Sequence, residues 1–253
     1  MTPGERGEIL AGPRVVLEAL RAGRRAVRRI QVARQEQARL EPLLALARSR
    51  RVPVEFGPRL ALDRRAGGTS HQGVVAEVGP YPYVAAEELL GPTGATFLLV
   101  LDGIQDPQNL GAILRTAETA GVQGAVILRD RAAGVTPAAV RASAGATEHL
   151  RVARVGNLAG FLARLKDGGL WVVGADANGG QELFGADLRG PLALVIGAEG
   201  TGLRALTRSR CDLVVRIPQA GQVASLNASA AAAVCLFEAV RQRKDSVKSV
   251  TFG

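Results

Sequence analysis

The stretch that decides the fold is IPQAGQVASLNASAAAAVCLFEAVRQR, residues 217–243. Its alanine-rich second half predicts a long helix, and Ser225-Leu226-Asn227 stands where that helix begins. Ser and Asn are both preferred N-cap residues, but a helix needs only one cap. The second polar side chain therefore indicates that the start of this helix has a role beyond its own capping.

Five nearly continuous apolar runs come before this stretch in the chain, the last of them overlapping its first residues, and they predict buried strands. Each ends in Gly, Asp or Pro: TFLLVLDG (96–103), GAVILRD (124–130), LWVVGAD (170–176), LALVIGAEG (192–200) and DLVVRIP (212–218). Segments with helical spacing lie between most of them: NLGAILRTAETAG (109–121), PAAVRASAGA (137–146) and LAGFLARLKDGG (158–169). Continuous apolar strands with crossover helices indicate an α/β domain whose mostly parallel sheet is covered on both faces.

The first third of the chain predicts a separate, smaller α/β unit. Helix and strand signals alternate there: GPRVVLEALRAG (12–23), VRRIQVA (27–33), EQARLEPLLALARSR (36–50), VEF (54–56) and HQGVVAEV (71–78). A Pro- and Gly-rich stretch follows and is typical of a linker. The predicted organisation is a first domain over 1–79, a linker over 80–94, a second domain over 95–245 and a disordered tail over 246–253.

Composition limits the class of protein. The 253 residues are 47% hydrophobic, so a packed core is expected. No apolar run approaches the roughly 20 residues that span a bilayer, and the first residues lack a signal peptide's apolar stretch, which predicts a cytoplasmic protein. Cys211 and Cys235 are far apart and have no histidines near them. We therefore expect both cysteines to be buried small residues in a protein of a reducing compartment, and we expect neither a metal site nor a disulfide.

The charge distribution favours a polyanionic partner. The formal net charge is +9, and residues 1–79 hold 15 Arg against 8 acidic residues, which accounts for +7 of it. A GC-rich genome explains why arginine replaces lysine, but not why the excess is concentrated in one domain. Clustered guanidinium groups bind phosphates, so we predict nucleic-acid binding by this domain. The arginines predicted to contact it are Arg24, Arg25, Arg28 and Arg29, and His71 is predicted beside them.

Polar and glycine residues gather at three predicted strand ends, where open parallel sheets bind ligands. In the first, Asn109 is a possible N-cap and Arg115 follows nearly two turns later, which predicts almost the same helix face. The second, VIGAEGTGL (195–203), places Glu199 among glycines. It is neither a Walker loop nor a dinucleotide fingerprint, so a dehydrogenase is excluded. The third contains Ser225 and Asn227. With His71 and His149 as the two histidines, a hydrolytic triad is not expected.

In order and spacing, these three motifs resemble those of the SpoU (TrmH) branch of the SPOUT RNA ribose 2′-O-methyltransferases. HQGVVAEV also resembles the end of the L30e-like RNA-binding domain that precedes the catalytic domain in one subgroup. The resemblance covers residues from about 8 to 243. It implies a SPOUT catalytic domain that ends in a deep trefoil knot, an exception to the rule that chains do not thread loops.

The resemblance also implies a function and a set of site residues. The implied function is S-adenosylmethionine-dependent 2′-O-methylation of a ribose in 23S ribosomal RNA, expected at a guanosine of the peptidyl-transferase region. The enzyme is expected to be a homodimer and to need no metal. Cofactor contacts are expected at Gly197, Ile217 and Leu226. The catalytic site is expected to contain Arg115, Asn109, Glu199, Ser225 and Asn227.

The role of Arg115 is open between two readings. The family's corresponding arginine is sometimes described as the general base, but a guanidinium rarely gives up its proton. Binding of the target phosphate and polarisation of the ribose hydroxyl is the alternative. The substrate also has alternatives, a tRNA or another rRNA site. A binding protein for ribosome assembly that has lost activity would not need all five catalytic residues.

Overall fold

A computed structural model describes residues 7–90, 97–222 and 225–250, with the side chains of the last segment through Lys244. The chain forms two compact units. The first comprises residues up to Pro82 together with Val135–His149, and the second comprises Tyr83–Gly134 and the chain from Leu150 onward. The first unit is therefore discontinuous in sequence.

The secondary structure alternates between helices and strands along the chain. The strands are β1 (Glu8–Ala11), β2 (Val27–Ala33), β3 (Val54–Gly57), β4 (Val74–Val78), β5 (Phe97–Asp102), β6 (Gly124–Leu128), β7 (Val152–Val155), β8 (Trp171–Ala175), β9 (Gln181–Glu182), β10 (Leu192–Gly197) and β11 (Leu213–Arg216). The α-helices are α1 (Pro13–Ala22), α2 (Glu41–Ser49), α3 (Arg59–Ala66), α4 (Pro107–Thr119), α5 (Pro137–Ala142), α6 (Leu158–Asp167), α7 (Ala205–Arg208) and α8 (Ala228–Val250).

The first unit is built on a mixed four-stranded sheet in the order β1-β4-β2-β3. β4 is antiparallel to β1 and β2, whereas β2 and β3 are parallel. Helix α3 packs on the sheet through Leu62 and Ala66, which contact the buried side chains of Ala11, Ala33 and Val75. The small alanine side chains allow the helix to approach the strands closely.

Residues 135–149 complete the first unit, although the sequence analysis assigned them to the second domain. Helix α5 contacts β1. The carboxylate of Glu148 accepts hydrogen bonds from Arg25 Nε at 2.9 Å and Arg25 Nη2 at 2.5 Å, and both side chains are buried. The Tyr81 hydroxyl donates to the carbonyl of Thr147 at 2.8 Å. Because a buried guanidinium must be paired, the ion pair ties this segment to the turn that precedes β2.

The second unit is built on a seven-stranded sheet in the order β7-β6-β5-β10-β8-β11-β9, and every pairing in it is parallel. All six residues of β5 and all six of β10 are buried. Helices α4 and α8 contact each other, and α8 also contacts β10. β5 and β10 are neighbouring parallel strands, so their carboxyl ends lie side by side.

The α/β fold class is confirmed, with a mixed sheet in the first unit and a parallel sheet in the second. The five apolar runs form β5, β6, β8, β10 and β11. Four elements were not predicted from the sequence: β1, α3, β7 and β9. Helix α8 continues to Val250, which corrects the prediction of a disordered tail for residues 246–250.

Some predictions fall on chain that the structure does not describe. Residues 91–94 of the predicted linker and 251–253 of the predicted tail lie outside the described residues. The predicted knot includes residues 223 and 224, which also lie outside them, so the knot stays an expectation. Cys235 is buried and Cys211 is half-buried. Burial raises the pKa of Cys235 to about 12, so this thiol stays protonated at neutral pH.

Membrane spans and metal-ligand clusters are absent from the residues that the structure describes. No helix within them is long and apolar enough to cross a membrane. No group of three or more His, Cys, Asp or Glu side chains within them is arranged to hold a metal ion.

Breaking the Arg25–Glu148 pair should destabilise the first unit. Glu148→Gln leaves the buried guanidinium with Glu8 as its one charged partner among the described residues. We expect the free energy of unfolding to fall by about 3 kcal/mol, measured by urea denaturation followed by circular dichroism. The control is Glu87→Gln, which removes the exposed pair with Arg164 and should have no measurable effect. Equal effects of the two substitutions would show that the buried pair is not important for stability.

Candidate active site

A cleft opens at the carboxyl edge of the parallel sheet in the second unit. Its walls come from the segments that follow β8, β10 and β11 and from the start of α8. The lining residues are Ala175, Asp176, Ala177, Asn178, Ile196, Gly197, Ala198, Glu199, Gly200, Thr201, Gly202, Ile217, Gln219, Ser225, Leu226, Ala228 and Ala231. Its empty volume is about 770 Å³, which includes the solvent at its open mouth.

The loop after β10 is folded back on its own strand. The N–H of Gly202 donates to the carbonyl of Ala198 at 2.9 Å. A Cβ on Gly197 would lie 2.3 Å from the backbone of Gly202, so only glycine fits there. Gly202 has a φ of +64°, and a Cβ on it would lie 2.6 Å from the carboxylate of Asp176. Gly197 is therefore required by close backbone approach, and Gly202 by its left-handed backbone and its closeness to Asp176. The backbone itself forms much of the pocket wall.

Three polar side chains from three distant segments meet beside this loop. Asn227 Nδ2 donates to Asn109 Oδ1 at 3.0 Å and to Glu199 Oε2 at 3.2 Å. Asn109 Nδ2 donates to the same Glu199 oxygen at 3.3 Å. One carboxylate oxygen thus receives two amide N–H groups. These contacts join α4, the loop after β10 and α8 into one network.

Asn227 also caps α8, which explains the polar start of that helix. Its Oδ1 accepts from the Ser229 backbone N–H at 2.9 Å and from the Ser229 hydroxyl at 2.6 Å. The oxygen and the nitrogen of one amide therefore have different roles. The oxygen caps the helix, and the nitrogen donates hydrogen bonds to Glu199 and Asn109. Ser225, the other residue suited to capping, lies instead in the pocket wall.

Two details of α4 differ from the sequence analysis. The N-cap is Asp106, whose carboxylate accepts from the N–H groups of Gln108 and Asn109, so the side chain of Asn109 is left for the network. Arg115 is exposed and is neither in the pocket wall nor paired with any described residue. A six-residue spacing is about 1.7 helical turns, so its side chain points roughly a third of a turn away from Asn109.

The structure brings most of the predicted residues together. Gly197, Ile217 and Leu226 line the pocket, as do Glu199 and Ser225, while Asn109 and Asn227 reach it through Glu199. Two further lining residues, Asp176 and Asn178, were not predicted from the sequence. Burial alone would raise the pKa of Asp176, but the N–H groups of Leu203 and Asn178 and the guanidinium of Arg208 outweigh it, so this pKa lies below its ordinary value.

The residues predicted to bind RNA in the first unit are mostly engaged within it. Arg25 is buried against Glu148, Glu8 and the carbonyl of Gly79. His71 is buried, with Nδ1 accepting the N–H of Gly73 and Nε2 at 2.8 Å from Asp63. Neither side chain is accessible to a phosphate, so both have structural roles, which corrects their predicted role in RNA binding.

The other three arginines are accessible in part. Arg24 is half-buried and points its guanidinium at the carbonyls of Pro82 and Glu148. Arg29 is hydrogen-bonded to Glu77, and this contact holds the pKa of that carboxyl below its ordinary value. Arg28 is exposed and lies 3.9 Å from Glu77. Much of the positive charge on β2 is therefore neutralised within the unit.

Fold and cleft together define an α/β enzyme with a small-molecule site at the carboxyl edge of its sheet. Residues 96–237 match the SpoU rRNA Methylase family, and residues 9–84 match the RNA 2′-O ribose methyltransferase substrate binding domain. The chain belongs to the SpoU family of rRNA methyltransferases.

Individual relatives agree with this assignment. The chain is 48% identical over 214 residues to the 23S rRNA (guanosine-2′-O-)-methyltransferase RlmB of Pseudomonas putida, covering 83% of this chain and 86% of that protein. It is 42% identical over 212 residues to RlmB of Escherichia coli, covering 83% and 87%. Among solved structures, the SpoU methyltransferase AviRb from Streptomyces viridochromogenes in complex with AdoMet superposes with a TM-score of 0.80 at 29% identity, over 94% of this chain and 90% of that one.

The double role of Asn227 can be separated by substitution. Asn227→Ser keeps a capping oxygen but is too short to hold Glu199, so we expect near wild-type stability and at least a 100-fold loss of methyl transfer. Asn227→Ala should lose the same activity and, in addition, about 1 kcal/mol of stability. Methyl transfer from labelled cofactor and thermal unfolding measure the two effects.

The matched control is Asn157, which caps α6 by accepting the N–H of Gly160 at 2.9 Å. Asn157→Ala should lose a similar amount of stability and keep its activity. Full activity in Asn227→Ser would contradict a functional role for the amide nitrogen.

Proposed function

We propose that this chain transfers the methyl group of S-adenosylmethionine to the ribose 2′-hydroxyl of a guanosine in 23S ribosomal RNA. The observation that carries the proposal is the pocket at the carboxyl edge, whose wall contains Glu199 held by Asn109 and Asn227. The relatives named RlmB support the substrate, and the AviRb complex with AdoMet supports the cofactor. The peptidyl-transferase region is the expected location of the guanosine, and a ribosomal substrate is consistent with a cytoplasmic enzyme.

The residues of the pocket fit this cofactor. Ile196, Ile217 and Leu226 offer apolar contacts for a flat base, and Asn178, Thr201 and Gln219 offer polar groups for hydroxyls. The carboxylate of Glu199 in the wall favours a cationic ligand, as a sulfonium is. Bound there, S-adenosylmethionine supplies an electrophilic methyl group. The protein's own contribution is to hold nucleophile and pocket in fixed relation.

Arg115 is proposed to act on the RNA and not on the cofactor. Its guanidinium is exposed, outside the pocket wall and unpaired with any described side chain, so it is available to a phosphate. A guanidinium keeps its proton at neutral pH. We therefore assign it the electrostatic role, in which it binds the target phosphate and stabilises oxyanion character on the ribose oxygen.

In the first unit, we assign RNA binding to arginines that are exposed and weakly paired or without a carboxylate partner. Arg28 retains this role because its side chain is exposed and its ion pair with Glu77 is long, at 3.9 Å. Exposed arginines without a carboxylate partner among the described residues join it: Arg14, Arg34, Arg51, Arg59 and Arg64. A free guanidinium that neutralises a phosphate releases counterions from the nucleic acid, which favours binding. A paired guanidinium must first break its ion pair with the carboxylate.

We also propose that the enzyme is a homodimer. One apolar stripe of α8 is covered by its own unit, where Ala228, Cys235 and Leu236 are buried. The neighbouring stripe is not: Ala230 is exposed, Phe237 is 47% exposed, and Ala233 and Val234 are half-buried. A helix with apolar residues around much of its circumference requires cover on more than one side. The family forms dimers, and a second copy of this chain would supply that cover.

The proposed reaction predicts a single labelled product. Purified protein incubated with methyl-labelled S-adenosylmethionine and unmodified total RNA should label 23S rRNA at the 2′-oxygen of one guanosine. Glu199→Gln, which keeps the shape and removes the charge, should be at least 100-fold slower. Nucleotide mapping by mass spectrometry identifies the site. Label in tRNA would establish the alternative substrate, and cofactor binding without any methyl transfer would indicate a binding protein.

The dimer predicts complementation if Arg115 serves a site completed by the partner. Arg115→Ala and Asn227→Ala should each be inactive alone. After subunit exchange, half of the dimers are mixed and each has one intact site of two, so roughly a quarter of wild-type activity should return. Light scattering gives the oligomeric state. A monomer at micromolar concentration would refute the dimer, and a dimer without complementation would place both residues in the same subunit's site.

A further inference from the structure

Two aspartates flank the strand that carries the glycine-rich loop of the site. Asp102 is the last residue of β5, and Asp176 follows β8 directly. β10 lies between these two strands, with Gly197 in register with Asp102 and Ile196 in register with Ala175. A carboxylate therefore stands on each side of the point where the chain leaves β10. We refer to residues 198–204, which follow this point, as the site loop.

The two carboxylates bind consecutive backbone amides of the site loop. The Leu203 N–H donates to Asp176 Oδ2 at 3.0 Å, and the Arg204 N–H donates to Asp102 Oδ2 at 3.0 Å. Arg204 Nε also donates to Asp102 Oδ1 at 2.6 Å. Asp176 Oδ1 accepts the N–H of Asn178 at 2.9 Å and pairs with Arg208 at 2.9 Å. The end of the loop is thus held from both neighbouring strands.

The burial of these carboxylates has a consequence for their role. The Asp102 side chain is 0% exposed and that of Asp176 is 7% exposed. Burial of a charge is unfavourable unless charge-assisted hydrogen bonds replace the lost water, and here the replacement is the site loop itself. If the loop moved away, both carboxylates would lose donors. The loop conformation and the two aspartates therefore stabilise each other.

The site loop carries the groups on which the pocket depends. Glu199, Gly200, Thr201 and Gly202 line the pocket, and Glu199 is the carboxylate that Asn109 and Asn227 hold. The start of the loop is fixed by β10 and by the bond from Gly202 to Ala198. The two aspartates fix its end. Asp102 itself is not part of the pocket wall, so any effect it has on the ligand passes through the loop.

We propose that Asp102 and Asp176 are positioning residues that order the site loop before S-adenosylmethionine binds, so that the pocket wall and Glu199 are already in place. A loop ordered in advance loses less conformational freedom on binding, which favours affinity. The inference rests on the proposed function only in taking S-adenosylmethionine as the ligand of the pocket.

A purely structural role is the competing explanation, and Asp212 offers a matched control for it. Its Oδ2 accepts the N–H of Val172 at 2.9 Å, and its Oδ1 pairs with Lys166 at 2.6 Å. It thus makes the same kinds of contact with β8, but near the amino end of that strand, and it does not line the pocket. Asp212→Asn removes the same charge from the same sheet without touching the site loop.

The experiment compares Asp102→Asn, Asp176→Asn and Asp212→Asn in the full-length protein. Thermal unfolding measures stability, calorimetry measures S-adenosylmethionine affinity, and hydrogen exchange of a peptide covering the site loop measures order in the cofactor-free protein. We expect the first two variants to bind at least 10-fold more weakly and to exchange faster in the site loop. Asp212→Asn should bind within twofold of wild type, whatever stability it loses.

Arg204→Met is a second test of the Asp102 contact. Its side chain is 51% exposed, so the substitution is tolerated at the surface while it removes the cation that Asp102 binds. It should weaken cofactor affinity in the same direction as Asp102→Asn. Unchanged affinity and exchange in the Asp102, Asp176 and Arg204 variants would overturn the inference, as would an affinity loss in Asp212→Asn equal to theirs. Failure of the wild-type protein to bind the cofactor would instead refute the proposed function.

Discussion

The site depends on a single amide, that of Asn227. Its oxygen satisfies the start of α8, and its nitrogen reaches Asn109 on α4 and Glu199 after β10. These residues are far apart in sequence, so the network exists only because β5 and β10 are adjacent in the sheet and α4 packs against α8. The helix start cannot move without releasing Glu199. This constraint links the stability of the C-terminal helix to the geometry of the pocket.

Buried charge is used in the same manner in both units. In the first, the Arg25–Glu148 pair joins the turn before β2 to a segment that lies more than a hundred residues later in the chain. In the second, Asp102 and Asp176 bind the site loop. Such pairs contribute little net stability compared with apolar side chains, but an alternative arrangement would leave a buried charge unpaired. They therefore specify one conformation of segments that apolar packing alone would hold loosely.

The sequence predicted the parts of the fold that have strong patterns. Long apolar runs marked β5, β6, β8, β10 and β11 because a strand buried on both faces has no polar alternation. The missed elements lack such a pattern. β9 has two residues, and in α3 the two leucines are two positions apart, which breaks the helical period. The attachment of residues 135–149 to the first unit depends on long-range contacts that local pattern does not contain.

The candidate site was predicted in composition but not in detail. Motif order identified Asn109, Glu199 and Asn227, and the pocket contains the predicted Gly197, Ile217 and Leu226. The capping role of Asp106 was missed because Asn109 is an equally good cap by residue type. Asp102 and Asp176 resembled ordinary strand ends, because burial of a carboxylate is invisible in sequence. Net charge likewise cannot distinguish a free arginine from Arg25, which is buried in an ion pair.

The central claim is that the pocket beside the Asn109–Glu199–Asn227 network is the cofactor site. A crystal structure of the protein with S-adenosylmethionine tests it most directly. The account predicts electron density for the cofactor against Gly197, Ile217 and Leu226, with the Asn227 amide still bonded to Glu199. Cofactor bound elsewhere, or a network that comes apart when the pocket is filled, would contradict it.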